Sequence, residues 1–412
     1  MLFTEGRYAQ ALARTSTSGT WLDVPLCRRL AANWEAIQDR LIAEIDPQYG
    51  VYEGRTFKGE KFLRYLQRHN IAWPLLETGR LSLEEVTFRD MSVIHPYLLP
   101  LHQLRQALSA MRLHNIAIDR DGVNRCFLNP FGSSTGRNQP RNSEYLWGMP
   151  KWLRGLGKPP QGWGMAYLDF GGQEFGEAAG LSKDPNMMEA YLSQEAYLWF
   201  ARQGKLVPPD ATKKTHPRER ALYKTSALAI QYGIGPESLG RYVSQPSLFA
   251  GHLINLHHQL FSQYWRWSDQ MVNHAVLTGR QSTVFDWVHR LPPDPSPTTL
   301  RNHPIQSNAA EMLRLGHCLA TECGIIVAAT IHDAYLITAP LDRLDADIAT
   351  MHRCMVKASR VVLNGFELFA DVKEFRYPDR YSCSDGESMW NLVMRLLEEV
   401  EATNPPCELV TA

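Results

Sequence analysis

The stretch "ATIHDAYLI", residues 329–337, sets Asp333 inside an apolar run with the composition of a buried strand. A carboxylate taken out of water needs a hydrogen-bond partner, a counter-charge or a metal ion to offset its lost hydration. The wider segment "IIVAATIHDAYLITAP", residues 325–340, reads as two strands with His332–Asp333 at or near a tight turn. Just before it, "IQSNAAEMLRLGHCLATECG" reads as a helix ending near Gly324.

A second acid sits where another strand stops. "GMAYLDF", residues 164–170, is a short strand candidate, and "QEFGEAAGL" after it has the composition of a helix start, which leaves Asp169 at the strand end. If both strands belong to one sheet, Asp169 and Asp333 could together hold two Mg²⁺ ions roughly 4 Å apart, an arrangement suited to phosphoryl transfer. Either acid alone is more often a capping or turn residue.

The helical stretch between them adds a cationic stripe. In "RALYKTSALAIQYG", Arg220, Lys224, Leu228 and Tyr232 recur at four-residue steps along one side of a helix. Two cations one turn apart repel each other unless an anion lies near them, and a triphosphate is a suitable anion. The competing reading is an exposed basic face with Tyr232 packed in the core.

The bulk composition is globular. The 412 residues are 44% hydrophobic and 21% charged, which suits about two to four domains or subdomains. Lys+Arg and Asp+Glu both number 43, so net charge does not argue for nucleic-acid binding; a local basic surface has to. Lys213, Lys214, Arg218, Arg220 and Lys224, against Glu219, form one such cluster. Seven cysteines without a CxxC spacing read as reduced thiols of a cytoplasmic protein. Neither a signal peptide nor an apolar run of membrane-spanning length is visible, which predicts no membrane association.

Along the chain, residues 25–115 carry helical patterning, as in "CRRLAANWEAIQDRLIAEI" with Leu30, Trp34, Ile37 and Leu41 on one face. Residues 120–163 turn to Gly, Pro, Asn and Ser in loops between short strands. A long helical region then runs to about residue 290, and "LPPDPSPTT", residues 291–299, punctuates it. Helices, sheet, helical insertion and sheet again predict an α+β chain whose sheet is completed across the insertion. His257–His258 and "YWRW", residues 264–267, lack a ligand spacing and read as packing residues.

Several segments, in order, resemble family A DNA polymerases, the bacterial polymerase I group with its phage relatives. "YLDFGGQEFGEAAGLSKDPNMMEAY" resembles the first catalytic motif of that family, "RALYKTSALAIQYGIGPESLG" the fingers helix, and "IHDAYLI" the His-Asp turn of the last motif. "STGRNQP" is similar to the segment that contacts the primer terminus, "RNHPIQSNAAEMLR" to one that contacts template and primer, and "SGTWLDVPLCRRL" to the start of the thumb.

The resemblance implies a right-hand polymerase fold: a lead-in over 1–19, a helical thumb over 20–118, an antiparallel-sheet palm over 119–174 and 298–385, helical fingers inserted over 175–297, and a C-terminal helix and tail over 386–412. It implies that Asp169, Asp333 and the Phe170 carbonyl bind two Mg²⁺ ions, with Mn²⁺ as a substitute. Arg220 and Lys224 would bind the incoming deoxynucleoside triphosphate, Leu228 would lie on the same nucleotide-facing stripe, and Tyr232 beside the templating base. Glu174 would exclude a 2′-hydroxyl, and Arg137, Asn302, Gln306 and His332 would hold primer–template DNA. The implied activity is template-directed DNA synthesis by a monomer in bacterial cytoplasm or a phage-infected cell. Neither a 5′ nuclease nor a proofreading exonuclease domain is expected, so a separate exonuclease or processivity factor is a possible further partner.

The chain departs from the family pattern at four places. Gly171–Gly172 replace Ser-Gln, Leu228 an aromatic residue, Leu198 a histidine, and Ala334 an acid. Two other readings stand beside the first: a catalytically impaired relative acting as a primer–template binding module, and a single-subunit RNA polymerase, which shares the Lys-x7-Tyr-Gly pattern.

Overall fold

The computed structural model describes residues 2–76, 78–110, 116–141 and 143–403, so Cys407 and the tail "NPPCELVTA" lie outside the described residues. The chain forms two compact units. One comprises Met1–Gly19, Phe127–Arg141 and Gly162–Arg376; the other comprises Thr20–Cys126, Asn142–Gln161 and Tyr377–Ala412.

The first unit is built on a four-stranded sheet: β1 (Trp163–Phe170), β2 (Ile326–Ile331), β3 (Ala334–Pro340) and β4 (Ala370–Arg376), in the order β2-β3-β1-β4. Every neighbouring pair is antiparallel, so the α+β reading holds. The register sets Ala334 and Asp371 on either side of Asp169. Five helices of this unit matter for the site: α1 (Leu2–Ser18), α2 (Gln173–Ser182), α3 (Pro217–Gln231), α4 (Pro297–Glu322) and α5 (Leu344–Val362).

The helix α4 begins earlier than the sequence reading allowed, within the Pro-rich punctuation itself. Pro297 occupies its first turn, where a missing N–H costs nothing, and Ser296 precedes it in extended conformation. Pro304 lies inside the helix, and its carbonyl accepts a hydrogen bond from Asn308 Nδ2 at 2.8 Å. Tertiary packing over the following turns, where residues from His303 to Arg314 are buried, outweighs the helix-breaking tendency of the proline.

Between β1 and β2 the chain is mostly helical, with one short antiparallel hairpin of Arg280–Ser282 and Val288–Arg290. Asp184, 1% exposed, caps Pro185–Leu192 by accepting from the amides of Asn186 and Met187, and its other oxygen accepts from the amides of Gln263 and Tyr264 at 3.0 Å. One carboxylate therefore satisfies the exposed donors of two helices. His257 and Trp265 pack as read from the sequence, with Trp265 Nε1 donating to His257 Nδ1 at 3.0 Å.

Tyr335 of β3 locks the sheet to α4. Its ring is fully buried and its hydroxyl donates to the Leu313 carbonyl at 2.6 Å. A Cβ at Gly316 would lie 2.5 Å from that hydroxyl oxygen. Helix propensity alone favours alanine there by about 1 kcal/mol, whereas overpacking against a fixed ring costs about 1–3 kcal/mol. Gly316→Ala should therefore lower stability by urea denaturation, and a stabilised variant would show that the contact is soft.

The second unit is mostly helical. Val24–Ile45 packs with Ser384–Thr403, and Trp34 stacks on Trp152 with ring centroids 6.1 Å apart. Asp23 caps the first of these helices by accepting from Leu26 N, and Arg380 Nη2 lies 3.0 Å from its other oxygen. No described helix is long and apolar enough to cross a membrane.

Candidate active site

The site is assembled by strand register. Ile331 pairs with Ala334, so His332 and Asp333 are the two central residues of a tight hairpin, and His332 takes a left-handed φ of 54°. Since Ala334 pairs with Asp169, Asp333 projects from the turn at the end of β1 where Asp169 stands. Phe170 closes β1 with its ring buried.

The two acids perturb each other. Burial is the largest influence raising the Asp169 carboxyl above the ordinary carboxylate range, and the negative charges of Asp333 and Asp371 push in the same direction. Burial also raises Asp333, opposed by hydrogen bonding and by the positive charge of Arg137. Asp169 Oδ1 is buried without a hydrogen-bond partner among the described residues. This pair fits a divalent cation, which would neutralise both acids and occupy the orphaned oxygen. Among the described residues no three His, Cys, Asp or Glu side chains gather as a ligand set. Mg²⁺ tolerates this, since it is held by one or two carboxylates and completes its shell with water and substrate phosphates.

The two glycines that follow β1 are not a slack link. Gly171 N donates to the Phe369 carbonyl at 2.9 Å, and the Tyr191 hydroxyl donates to the Gly171 carbonyl at 2.8 Å while accepting from Phe369 N at 3.0 Å. Gly172 caps α2 at a φ of 60°, a conformation that glycine adopts without the cost other residues meet.

The α2 and α4 helices bring three expected residues together. Gln306 Nε2 donates to Glu174 Oε1 and lies 3.4 Å from the Tyr232 hydroxyl. Gln231 Nε2 donates to the Glu174 carbonyl at 3.2 Å, and Tyr264 donates to the Gln231 carbonyl at 2.6 Å. Burial raises the Tyr232 phenol well above its ordinary range, so it stays protonated. Tyr232 terminates α3, while Leu228 one turn earlier packs partly against the core.

On the rest of α3, Lys224 is exposed and has no hydrogen-bond or ion-pair partner among the described residues. Arg220 pairs loosely with Glu195 at 3.6 Å and lies over the Tyr197 ring. It also lines a cavity of about 150 Å³ with Gly171, Gly172, Lys213 and Asp371. Leu198, in place of the family histidine, is fully buried.

The loop carrying Arg137 is tied to α4. The Gly136 carbonyl accepts from Arg314 Nη1 at 2.6 Å, Arg137 N donates to Ser133 Oγ at 2.9 Å, and His303 Nε2 lies 3.1 Å from the Ser134 carbonyl. Arg314 is itself 2% exposed and paired with Glu311 at 3.0 Å. Asn302, on α4, has a buried Oδ1 without a partner among the described residues.

Three contributors escaped the sequence reading. Asp371 stands beside Asp169 on β4, Tyr191 staples the glycine pair, and Glu177 is an entirely buried acid on α2. Asp371 and Tyr191 depend on pairings between distant segments. Glu177 carried a signal, an acid within the small-residue run "FGEAAG" where a helix packs tightly.

Comparison with known proteins follows from this geometry. Residues 150–372 match the model of DNA polymerase family A. The POL domain of Pol1 from M. smegmatis, solved in complex with DNA primer-template and dNTP, is similar with a TM-score of 0.75 at 17% sequence identity, covering 93% of this chain and 70% of that one. At that identity the likeness bears on fold alone. No curated protein sequence matches significantly.

Proposed function

The chain belongs to DNA polymerase family A and is a DNA-directed DNA polymerase; from that premise we propose that it extends a primer 3′-hydroxyl with deoxynucleoside triphosphates by two-metal phosphoryl transfer. The observation that carries the reading is the Asp169–Asp333 pair, raised in pKa and holding an orphaned buried oxygen. Asp169 and Asp333, with the Phe170 carbonyl, would hold Mg²⁺ ions, or Mn²⁺ in their place. When bound, such ions lower the pKa of an attacking hydroxyl and neutralise a triphosphate.

The remaining residues bind and orient. Lys224 presents an ammonium unpaired among the described residues and Arg220 a guanidinium only loosely engaged with Glu195, so both are available to an anionic triphosphate. Closure of α3 over the nucleotide would deliver them and exclude water. Tyr232 would stack beside the templating base. Glu174 would stand under the sugar and reject a 2′-hydroxyl. Arg137, Asn302, Gln306 and His332 would face the duplex and primer end, where minor-groove acceptors vary little with sequence and report base-pair shape. We place the enzyme as a monomer on primer–template DNA in a bacterial cytoplasm or phage-infected cell.

Primer extension with Mg²⁺, comparing deoxy- and ribonucleotides, tests the reading. Tight primer–template binding without extension would favour the binding-module reading, and efficient ribonucleotide use would favour RNA synthesis. The pinned Gly171–Gly172 backbone supports the active form. Lys224→Ala should raise the apparent nucleotide KM by about 10- to 100-fold, the equivalent of one lost charge-assisted hydrogen bond. Unchanged KM and kcat would remove Lys224 from the mechanism.

A further inference from the structure

The peptide unit that leads into Arg137 is gripped on both sides. Its carbonyl, that of Gly136, accepts from Arg314 Nη1 at 2.6 Å, and its N–H, that of Arg137, donates to Ser133 Oγ at 2.9 Å. A peptide unit is planar, so holding both ends fixes the plane from which the Arg137 side chain leaves the loop. Gly136 takes a φ of 74°, and a Cβ there would lie 3.3 Å from the Trp287 ring, so the loop closes on that ring with no side chain between them.

Arg314 is fixed in its turn. Its Nε donates to Glu311 Oε2 at 3.2 Å, its Nη2 lies 3.0 Å from Glu311 Oε1, and its guanidinium lies over the Phe131 ring at 4.4 Å. Glu311 Oε1 also accepts from Thr283 Oγ1 at 2.8 Å, and that hydroxyl accepts from Trp287 N at 3.1 Å. Trp287 stacks on Phe131 with ring centroids 6.1 Å apart, which closes the circuit around the loop. Arg314 and Glu311 are 2% and 4% exposed, so neither is placed to touch a duplex itself. A buried ion pair adds little stability over apolar side chains of similar volume. What this one adds is direction: the carboxylate holds one edge of a planar fork and turns another of its donors onto the Gly136 carbonyl.

We propose that Arg314, aimed by Glu311, is a positioning residue for primer-end recognition, fixing the Gly136–Arg137 peptide so that Arg137 meets the minor groove at the primer terminus in one orientation. This rests on the polymerase reading, in which Arg137 meets that terminus. Extension of matched against mismatched 3′ ends, with thermal melting and the apparent nucleotide KM, tests it on three variants. Arg314→Lys keeps a charge for Glu311 but gives up the fork. Ser133→Ala releases the other side of the same peptide. Glu311→Leu combined with Arg314→Met replaces the ion pair by apolar side chains.

Each variant should lower the matched-to-mismatched ratio at an unchanged nucleotide KM, Arg314→Lys by about tenfold, the equivalent of one charged hydrogen bond. The apolar pair should hold or raise Tm while losing the ratio, which separates aim from stability. In the Arg137→Ala background, Arg314→Lys and Ser133→Ala should cause no further loss of that ratio. A wild-type ratio in an active Arg314→Lys or Ser133→Ala enzyme, or in a folded apolar-pair enzyme, would overturn the proposal. So would a full additional loss without Arg137. If Arg314→Lys does not fold, the half-buried Ser133→Ala decides by the same ratio. If the wild type extends no primer at all, the polymerase reading fails first and this inference with it.

Discussion

Asp333→Ala should lower primer extension by on the order of 10³-fold or more, the rate equivalent of losing several kcal/mol of charge stabilisation at a metal-assisted step. The structure leaves little to compensate. Its chain neighbour is Ala334, fully buried, and the remaining acid near Asp169 is Asp371 on the opposite side of β1. Primer–template affinity should change little, because removing an anion beside a phosphate-rich ligand does not weaken electrostatic binding. Thermal stability should hold or rise, since burial already raises the Asp333 carboxyl and its charged form gains little from folding. Gel-shift, melting and extension measured on one preparation separate these effects. Extension retained within a few-fold of wild type would dismiss Asp333 from the site.

Glu174→Ala should admit ribonucleotides, improving the ribo-to-deoxy ratio of kcat/KM by on the order of 10²-fold, about 3 kcal/mol of relieved steric conflict. Selectivity of this kind needs a barrier that stays still. Glu174 is held by Gln306 through its carboxylate and by Gln231 through its backbone, and Gln306 also approaches Tyr232. Glu174→Gln keeps the bulk and should keep most of the discrimination, which distinguishes steric exclusion from a charge effect. An alanine enzyme that still rejects ribonucleotides would assign the selectivity to another residue.

Much of this site was legible in short stretches of chain because its residues are fixed by local pattern. A tight turn between two apolar strands sets the place of Asp333, a strand end sets that of Asp169, and a four-residue helical step aligns Arg220, Lys224 and Tyr232. What local pattern does not carry is pairing between distant segments. Asp371 becomes a neighbour of Asp169 through the β1–β4 register, and Tyr191 reaches the glycine pair from another helix. The start of α4 was missed for a related reason: its prolines read as breakers, yet one sits in the first turn and the other is tolerated by the packing around it. Glu177 was visible as an acid in a small-residue run, but its burial follows from what α2 packs against.

The strand order β2-β3-β1-β4 has a further consequence, in the order of synthesis. β1 emerges first yet borders only strands made after the long helical insertion, so it must wait with both edges unpaired until residues beyond Ile326 have left the ribosome. The helices of the insertion can form locally in that interval. The meeting of Asp169 and Asp333 is therefore acquired late in the chain's history, when β3 slots beside β1, and a nascent polypeptide stopped before that strand would possess the cationic helix α3 but not the proposed acid pair.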